Sequence, residues 1–103
     1  MSYLLSNNIA IVSFDDGKAN VVGHKFLDSL NSALDRAATD SAGAVILRGR
    51  EGMFSAGFDL GEFAKGPAAG IAMVTKGMQL LLRLYSFPLP LVAACTGHAI
   101  AMG

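Results

Sequence analysis

Apolar positions recur along the chain in two rhythms, one suited to strands and one to helices. Tyr3–Ser6 and Ile9–Phe14 are short strand-like runs separated by Asn7-Asn8, two residues that tolerate positive φ and so suit a tight hairpin. From His24 to Ala38 the apolar residues Phe26, Leu27, Leu30, Ala33, Leu34 and Ala37 fall at helical intervals, with Lys25, Asp28, Asn31, Asp35 and Arg36 between them. That spacing predicts an amphipathic helix. Gly43 then opens Ala44–Leu47, short and apolar on both faces like a buried strand. Ile71–Tyr85 repeats the helical pattern through Val74, Met78, Leu81, Leu82 and Tyr85 until Pro88 and Pro90 stop it. Leu91–Cys95 is a second buried-strand run, and Thr96-Gly97 leads into a further helix start.

Between these elements lie three polar or glycine-bearing stretches. Asp15–Asn20 reads as an exposed loop, Arg48–Leu60 as a Gly-containing loop closed by a short helical turn, and Gly66–Gly70 as a flexible, uncharged break. The order β-β-α-β-α-β-α argues for an α/β layered fold with right-handed crossovers, and no repeat of fixed period interrupts it. A chain of 103 residues predicts one domain at most, residues 1–103 forming part of it.

Composition narrows the partners. With 8 basic and 8 acidic residues the charges cancel, leaving no footprint for nucleic acid and no polybasic patch for anionic lipid, so an anionic ligand must be held by local geometry. Met1-Ser2-Tyr3-Leu4 is not the start of a signal peptide, no run is long enough to span a membrane, and a cytoplasmic protein is expected. The single cysteine, Cys95, reads as a small buried side chain, and no Cys or His pair has metal-ligand spacing, so no metal is expected. Ile100–Gly103 ends in an apolar helix start without a cap, which suggests the front portion of a larger protein.

Two segments can carry chemistry. In Ser55-Ala56-Gly57-Phe58-Asp59-Leu60 small residues let the main chain approach a ligand, and the following helical turn leaves its first amides unpaired. Thr96–Gly103 is again a strand end passing into small residues. Amide donors from two separate loops are what an oxyanion hole needs. Ser55 is a poor nucleophile candidate, because Met53 stands where Gly-x-Ser-x-Gly requires glycine.

With these residues in view, the chain resembles the crotonase, or enoyl-CoA hydratase/isomerase, superfamily. The family's Phe-small-Ala-Gly-x-Asp-Leu stands as Phe54–Leu60, and its Pro, apolar strand and Asn-Gly-x-Ala-x-Gly-Gly-Gly is matched more loosely by Pro90 through Gly103. The resemblance covers essentially the whole chain and implies a crotonase-like α/β fold, a layered spiral with buried strands and crossover helices, of which this is the N-terminal portion. It implies an acyl-CoA thioester whose carbonyl is held by the backbone amides of Phe58 and Met102, with coenzyme A carried by the substrate and no separate cofactor. The CoA moiety would lie along Ala56, Gly57, Asp59, Leu60 and Gly97. Lys18 would lie near the CoA phosphates, or else is a solvated loop lysine. A homo-oligomer, trimeric or hexameric, is implied for the whole protein.

The sequence departs from the pattern at Thr96, Ala101 and Met102. An amide donor survives such replacement provided the local φ is negative, and the Met102 side chain would narrow the pocket beside the thioester. Asp59 is expected to cap the short helix and Glu62 to be solvated surface. His24 is expected at an exposed helix start, and His98 in a packing role. The family's acid/base carboxylates would lie beyond Gly103. The full-length protein is therefore expected to be an enoyl-CoA hydratase/isomerase-like lyase, and the 103 residues alone to have little turnover. The alternative is a non-catalytic CoA-binding or assembly module.

Overall fold

In the computed structural model, which describes residues 1–103, Asn7 and Asn8 both take positive φ (51° and 64°) and close a two-residue hairpin. In chain order the elements are β1 (Ser2–Ser6), β2 (Ile9–Ser13), β3 (Val21–Val22), α1 (His24–Thr39), β4 (Ala44–Arg48), β5 (Gly52–Ser55), β6 (Gly57–Phe58), α2 (Leu60–Phe63), α3 (Pro67–Tyr85), β7 (Leu91–Ala94) and β8 (Gly97–Ala99). The hairpin pairs β1 with β2 antiparallel, and β2, β4 and β7 then run parallel in a sheet of order β1-β2-β4-β7. Two small parallel pairs, β3 with β6 and β5 with β8, complete the strand pattern.

The helical periodicity is what builds the core. Leu27, Leu30, Ala33, Leu34 and Ala37 form one buried stripe on α1, packed with Ala10, Val12, Val45 and Leu47 from the parallel strands and Leu80 from α3. Each fully buried leucine or valine contributes roughly 1.5–3 kcal/mol relative to exposure. Phe14 joins this core by edge-to-face contacts with Phe26 and Phe54, ring centroids 5.1 Å apart in both. Asp28–Lys76 and Asp35–Arg83 ion pairs align α1 with α3. No helix is long and apolar enough to cross a membrane.

Several expectations change. Ala44–Leu47 is buried on one face only, through Val45 and Leu47. The row Leu4, Ile11, Ile46 and Val92, in register across the other face, is half-buried or exposed. The reason is that the α1 stripe packs on the Val12–Val45 side and no element covers the opposite side. Cys95, expected inside, is exposed just past the edge strand β7. The supposed break at Gly66–Gly70 is the first turn of α3, begun by Pro67, whose missing N–H costs nothing at that position. The stretch Gly52–Phe58, read as a loop, contains β5 and β6.

The loop Asp15–Asn20 is exposed except at its end, where Asn20 is 1% exposed and sits at φ 51°. Its Nδ2 donates to Phe14 O (3.0 Å), Phe54 O (3.1 Å) and Met53 O (3.4 Å), and its Oδ1 accepts from Asp16 N (2.9 Å). One amide thereby joins the end of β2 to β5. Asn20→Ala is expected to destabilise the chain by about 2–4 kcal/mol in denaturant unfolding, because buried carbonyls lose their donor and alanine takes positive φ less readily. A loss under about 0.5 kcal/mol, the usual surface value, would contradict this.

Asp16 organises the same loop. Desolvation opposes its ionisation, yet the amides of Asn20, Lys18 and Val21, together with nearby Arg50, outweigh this and lower its pKa. A carboxylate with a depressed folded pKa adds stability above its unfolded pKa, about 3.9, and loses it as pH falls through the folded value. The stability gap between the native chain and Asp16→Asn is therefore expected at pH 6 and should close in acid, read from unfolding midpoints across pH.

Candidate functional site

The first motif leaves β5 at Ser55, which is 2% exposed. Its hydroxyl donates to Asn20 O (2.7 Å) and accepts from Gly57 N (3.2 Å), while Ala56 N donates to Ala19 O (2.9 Å). Asp59 N donates to Val22 O (3.0 Å). A parallel ladder engages alternate residues, so Phe58, opposite Val22, turns its N–H away from β3. Asp59 caps α2 as expected, its Oδ1 accepting from Gly61 N at 2.9 Å.

The second segment does not begin a helix at Gly97, as expected, but forms β8 beside β5. Glycine decides this: a Cβ on Gly97 would overlap the main chain of Gly52, so only glycine permits the strand to approach. Ser55 is in register with Ala99, Ile100 N donates to Ser55 O (2.9 Å), and Gly103 N donates to Ile100 O (2.7 Å). The turn so formed lays residues 100–103 against the first motif. Gly57, at φ 92°, has room for no side chain, since a Cβ would stand 2.9 Å from Ile100 O and 3.1 Å from Met102 N. The Met102 N–H itself meets no acceptor in the chain.

The two segments also share a seat on α3. A Cβ on Gly77 would fall 2.7 Å from Cε1 and Cζ of Phe58 and 3.3 Å from Cε of Met102. Phe58 further meets Phe63 edge to face at 6.1 Å. The Met102 side chain is thus folded back onto α3 and the core, lining an apolar cavity of about 180 Å³ with Leu47, Phe54, Leu80, Leu84 and Leu91. The negative-φ condition holds at Met102 but not at Ala101, which takes φ 51°.

On the other flank, Asp59 borders a cleft of about 500 Å³ with Asp16, His24, Lys25, Glu62 and Lys65. Glu62, expected as solvated surface, is only 14% exposed, paired with Lys65 Nζ (2.9 Å) and His24 Nε2 (3.3 Å). The Lys65 hydrogen bond leads in lowering the Glu62 pKa, against desolvation and aided by His24, and Glu62 raises Lys65 in return. The Glu62–Lys65 pair is local in sequence, at i,i+3, whereas His24 reaches it from a different element and carried no local sign. His24 stands at the start of α1 as expected, part-exposed and paired with Glu62, and His98 is exposed rather than packed.

Of the CoA-side candidates, Lys18 is exposed, with its carbonyl accepting from Arg50 Nε (2.6 Å). Leu60 is 78% exposed at the start of α2. Ala56 and Gly57 have committed amides, and Gly97 lies at the far end of β8 from Met102. Phe58 and Met102 are therefore the pair the fold brings together.

Parallel strands with helical crossovers, and two small-residue segments brought together beside β5, define a layered α/β protein. Residues 5–103 match the enoyl-CoA hydratase/isomerase family, and the chain belongs to that family, within the crotonase superfamily and with its fold. It is 33% identical to a probable enoyl-CoA hydratase of Bacillus subtilis, over 100% of this chain and 41% of the relative. It is 36% identical to the peroxisomal enoyl-CoA delta isomerase 1 of Arabidopsis thaliana, over 75% of this chain and 33% of the relative. Among solved structures, the apo enoyl-CoA isomerase of Mycobacterium tuberculosis superposes with TM-score 0.94 at 45% identity, covering 99% of this chain and 44% of that one. A family protein from Pseudomonas syringae superposes with TM-score 0.95 at 37% identity, over 98% and 44%. The chain thus spans less than half the length of these relatives.

The positive φ of Ala101 carries a stability prediction. A left-handed conformation costs a non-glycine residue about 1–2 kcal/mol, part of which glycine gives back through its freer unfolded state. Ala101→Gly is expected to raise stability by about 0.5–1 kcal/mol in denaturant unfolding. A decrease would show that the alanine methyl contributes more than its backbone strain removes.

Proposed function

We propose that Phe58 and Met102 donate their backbone amides to the carbonyl oxygen of an acyl-CoA thioester. The observation that supports this reading is that two amides without an acceptor in the chain, one in the turn at Met102 and one turned away from its ladder at Phe58, lie on adjacent segments whose side chains meet at Gly77. Donors fixed in advance stabilise the negative charge that develops on such an oxygen, each by roughly 2.7–4 kcal/mol in a transition state. That charge develops whether water adds to a conjugated double bond or a proton leaves the carbon beside the thioester. Both hydration and double-bond isomerisation fit, and relatives named as hydratases and as isomerases are both similar to this chain. The CoA moiety would pass along the first motif, with Lys18 free to meet a phosphate.

For the whole protein the reading is an enoyl-CoA hydratase/isomerase-type enzyme, cytoplasmic and assembled as a homo-oligomer, with its acid/base groups outside these 103 residues. Within them, Glu62 is held in two ion pairs and Ser55 is buried with its hydroxyl committed, which opposes a serine-hydrolase reading.

The test is titration of the chain with crotonyl-CoA, following the ultraviolet band of the enoyl thioester. Polarisation of the carbonyl moves that band to longer wavelength, and replacing the Met102 amide by an ester linkage is expected to shrink the shift and weaken binding by about fivefold, near 1 kcal/mol. Binding without any shift would refute the two-amide reading. Slow loss of the enoyl band would show turnover, whereas its retention beside a clear shift would favour a binding module.

A further inference from the structure

The strongest unassigned feature is the point where α3 touches both segments. Helices avoid glycine in their interiors, where it is destabilising by about 1 kcal/mol relative to alanine. Gly77 is nevertheless buried mid-helix in α3. Its missing side chain is occupied from outside. The Phe58 ring enters so closely that a Cβ would lie 2.7 Å from two ring carbons, and the Met102 methyl lies 3.3 Å from the same point. A contact under 3.0 Å cannot be accommodated without movement, and what must move is a rigid ring rather than the end of a flexible chain. One turn-pair earlier, Gly70 receives Phe63 in the same way, at 2.8 Å, and Phe63 braces Phe58 edge to face.

From this we infer that Gly77 is a positioning residue, a socket on α3 that sets where the Phe58 and Met102 amides stand relative to each other. The inference rests on the proposed role of those amides and deepens it. Hydrogen bonds anchor the main chain on either side, at Gly57 and Asp59 around Phe58 and at Ile100 and Gly103 around Met102, and the two side chains add a restraint from α3. A methyl at position 77 would push the ring and the thioether apart and carry their amides with them. The same contact explains why a methionine is tolerated in a run of small residues: its side chain has a seat away from the segment's exposed edge.

The experiment is a substitution cycle on the chain, read by thermal melting, by the amide resonances of residues 58 and 102, and by the crotonyl-CoA band shift. Gly77→Ala is expected to lower the melting midpoint, against helix propensity, to displace both resonances, and to diminish the band shift while affinity changes less than twofold. In the background Phe58→Leu/Met102→Ala, the same Gly77→Ala change is expected to raise the midpoint. Should Gly77→Ala alone not fold, the triple variant must, and its failure to fold would overturn the socket. So would a higher midpoint for Gly77→Ala with both resonances unmoved. Absence of a band shift in the unaltered chain would sink the carbonyl-polarising role, while the melting cycle would still decide whether the socket exists.

Discussion

The buried amide of Asn20 is the constraint from which the site hangs. It is the only polar side chain besides Ser55 in the buried interior, and the two are linked. Asn20 Nδ2 holds Phe14 O at the end of β2 and Phe54 O on β5, Asn20 O accepts from the Ser55 hydroxyl, and Ser55 O accepts from Ile100 N. A hydrogen-bonded path therefore runs from the central sheet through both motif segments. Each bond contributes only about 0.5–1.5 kcal/mol net, but loss of a buried partner exposes the full desolvation penalty of what remains. Such a network specifies position more than it adds stability.

Small residues around this path serve close backbone approach rather than flexibility. Gly57 lies against Ile100 and Met102, Gly97 against Gly52, and Gly103 against Ser55, each with main chain where a Cβ would stand. Side chains at these positions would part the two segments. Ala101 and Met102, where the family pattern has glycine, are different. Ala101 keeps its methyl at the price of a left-handed backbone, and Met102 keeps negative φ and sends its side chain to α3. The departures from the motif are absorbed by conformation in one case and by packing in the other.

What the sequence disclosed was what depends on near neighbours. The Asn7-Asn8 hairpin, the stripe of α1 and the cap at Asp59 follow from spacing and local propensity, and all three stand. The strands β3, β5, β6 and β8 did not announce themselves. They are two to four residues long, too short to show alternation, and their partners are distant in the chain. The same distance hid the burial of Asn20 and the pairing of His24 with Glu62, since each needs an element folded over from elsewhere. Pro67 misled for another reason: at the first turn of a helix it starts the element that it would break further in. Phe58 and Met102 were singled out only through the likeness of motifs, and the glycine beneath them had no signal at all, since a mid-helix Gly77 reads as mere weakness.

Two unpaired amides would be a defect in a core and are tolerable here because of where they lie. Phe58 and Met102 are both half-buried, so water can satisfy their N–H groups and the penalty of about 1–3 kcal/mol for a buried orphan donor is largely avoided. Their side chains, by contrast, point into the packed interior, against Gly77 and the cluster around Leu80 and Leu84. The division matters: an N–H without an acceptor in the chain remains a donor, while a side chain directed inward keeps it still. A donor that is available but mobile would have to be ordered again at each encounter with a carbonyl, and the ordering would subtract from the stabilisation it gives. On the proposed role, holding the amide through its own side chain lowers that cost without placing a second polar group beside it.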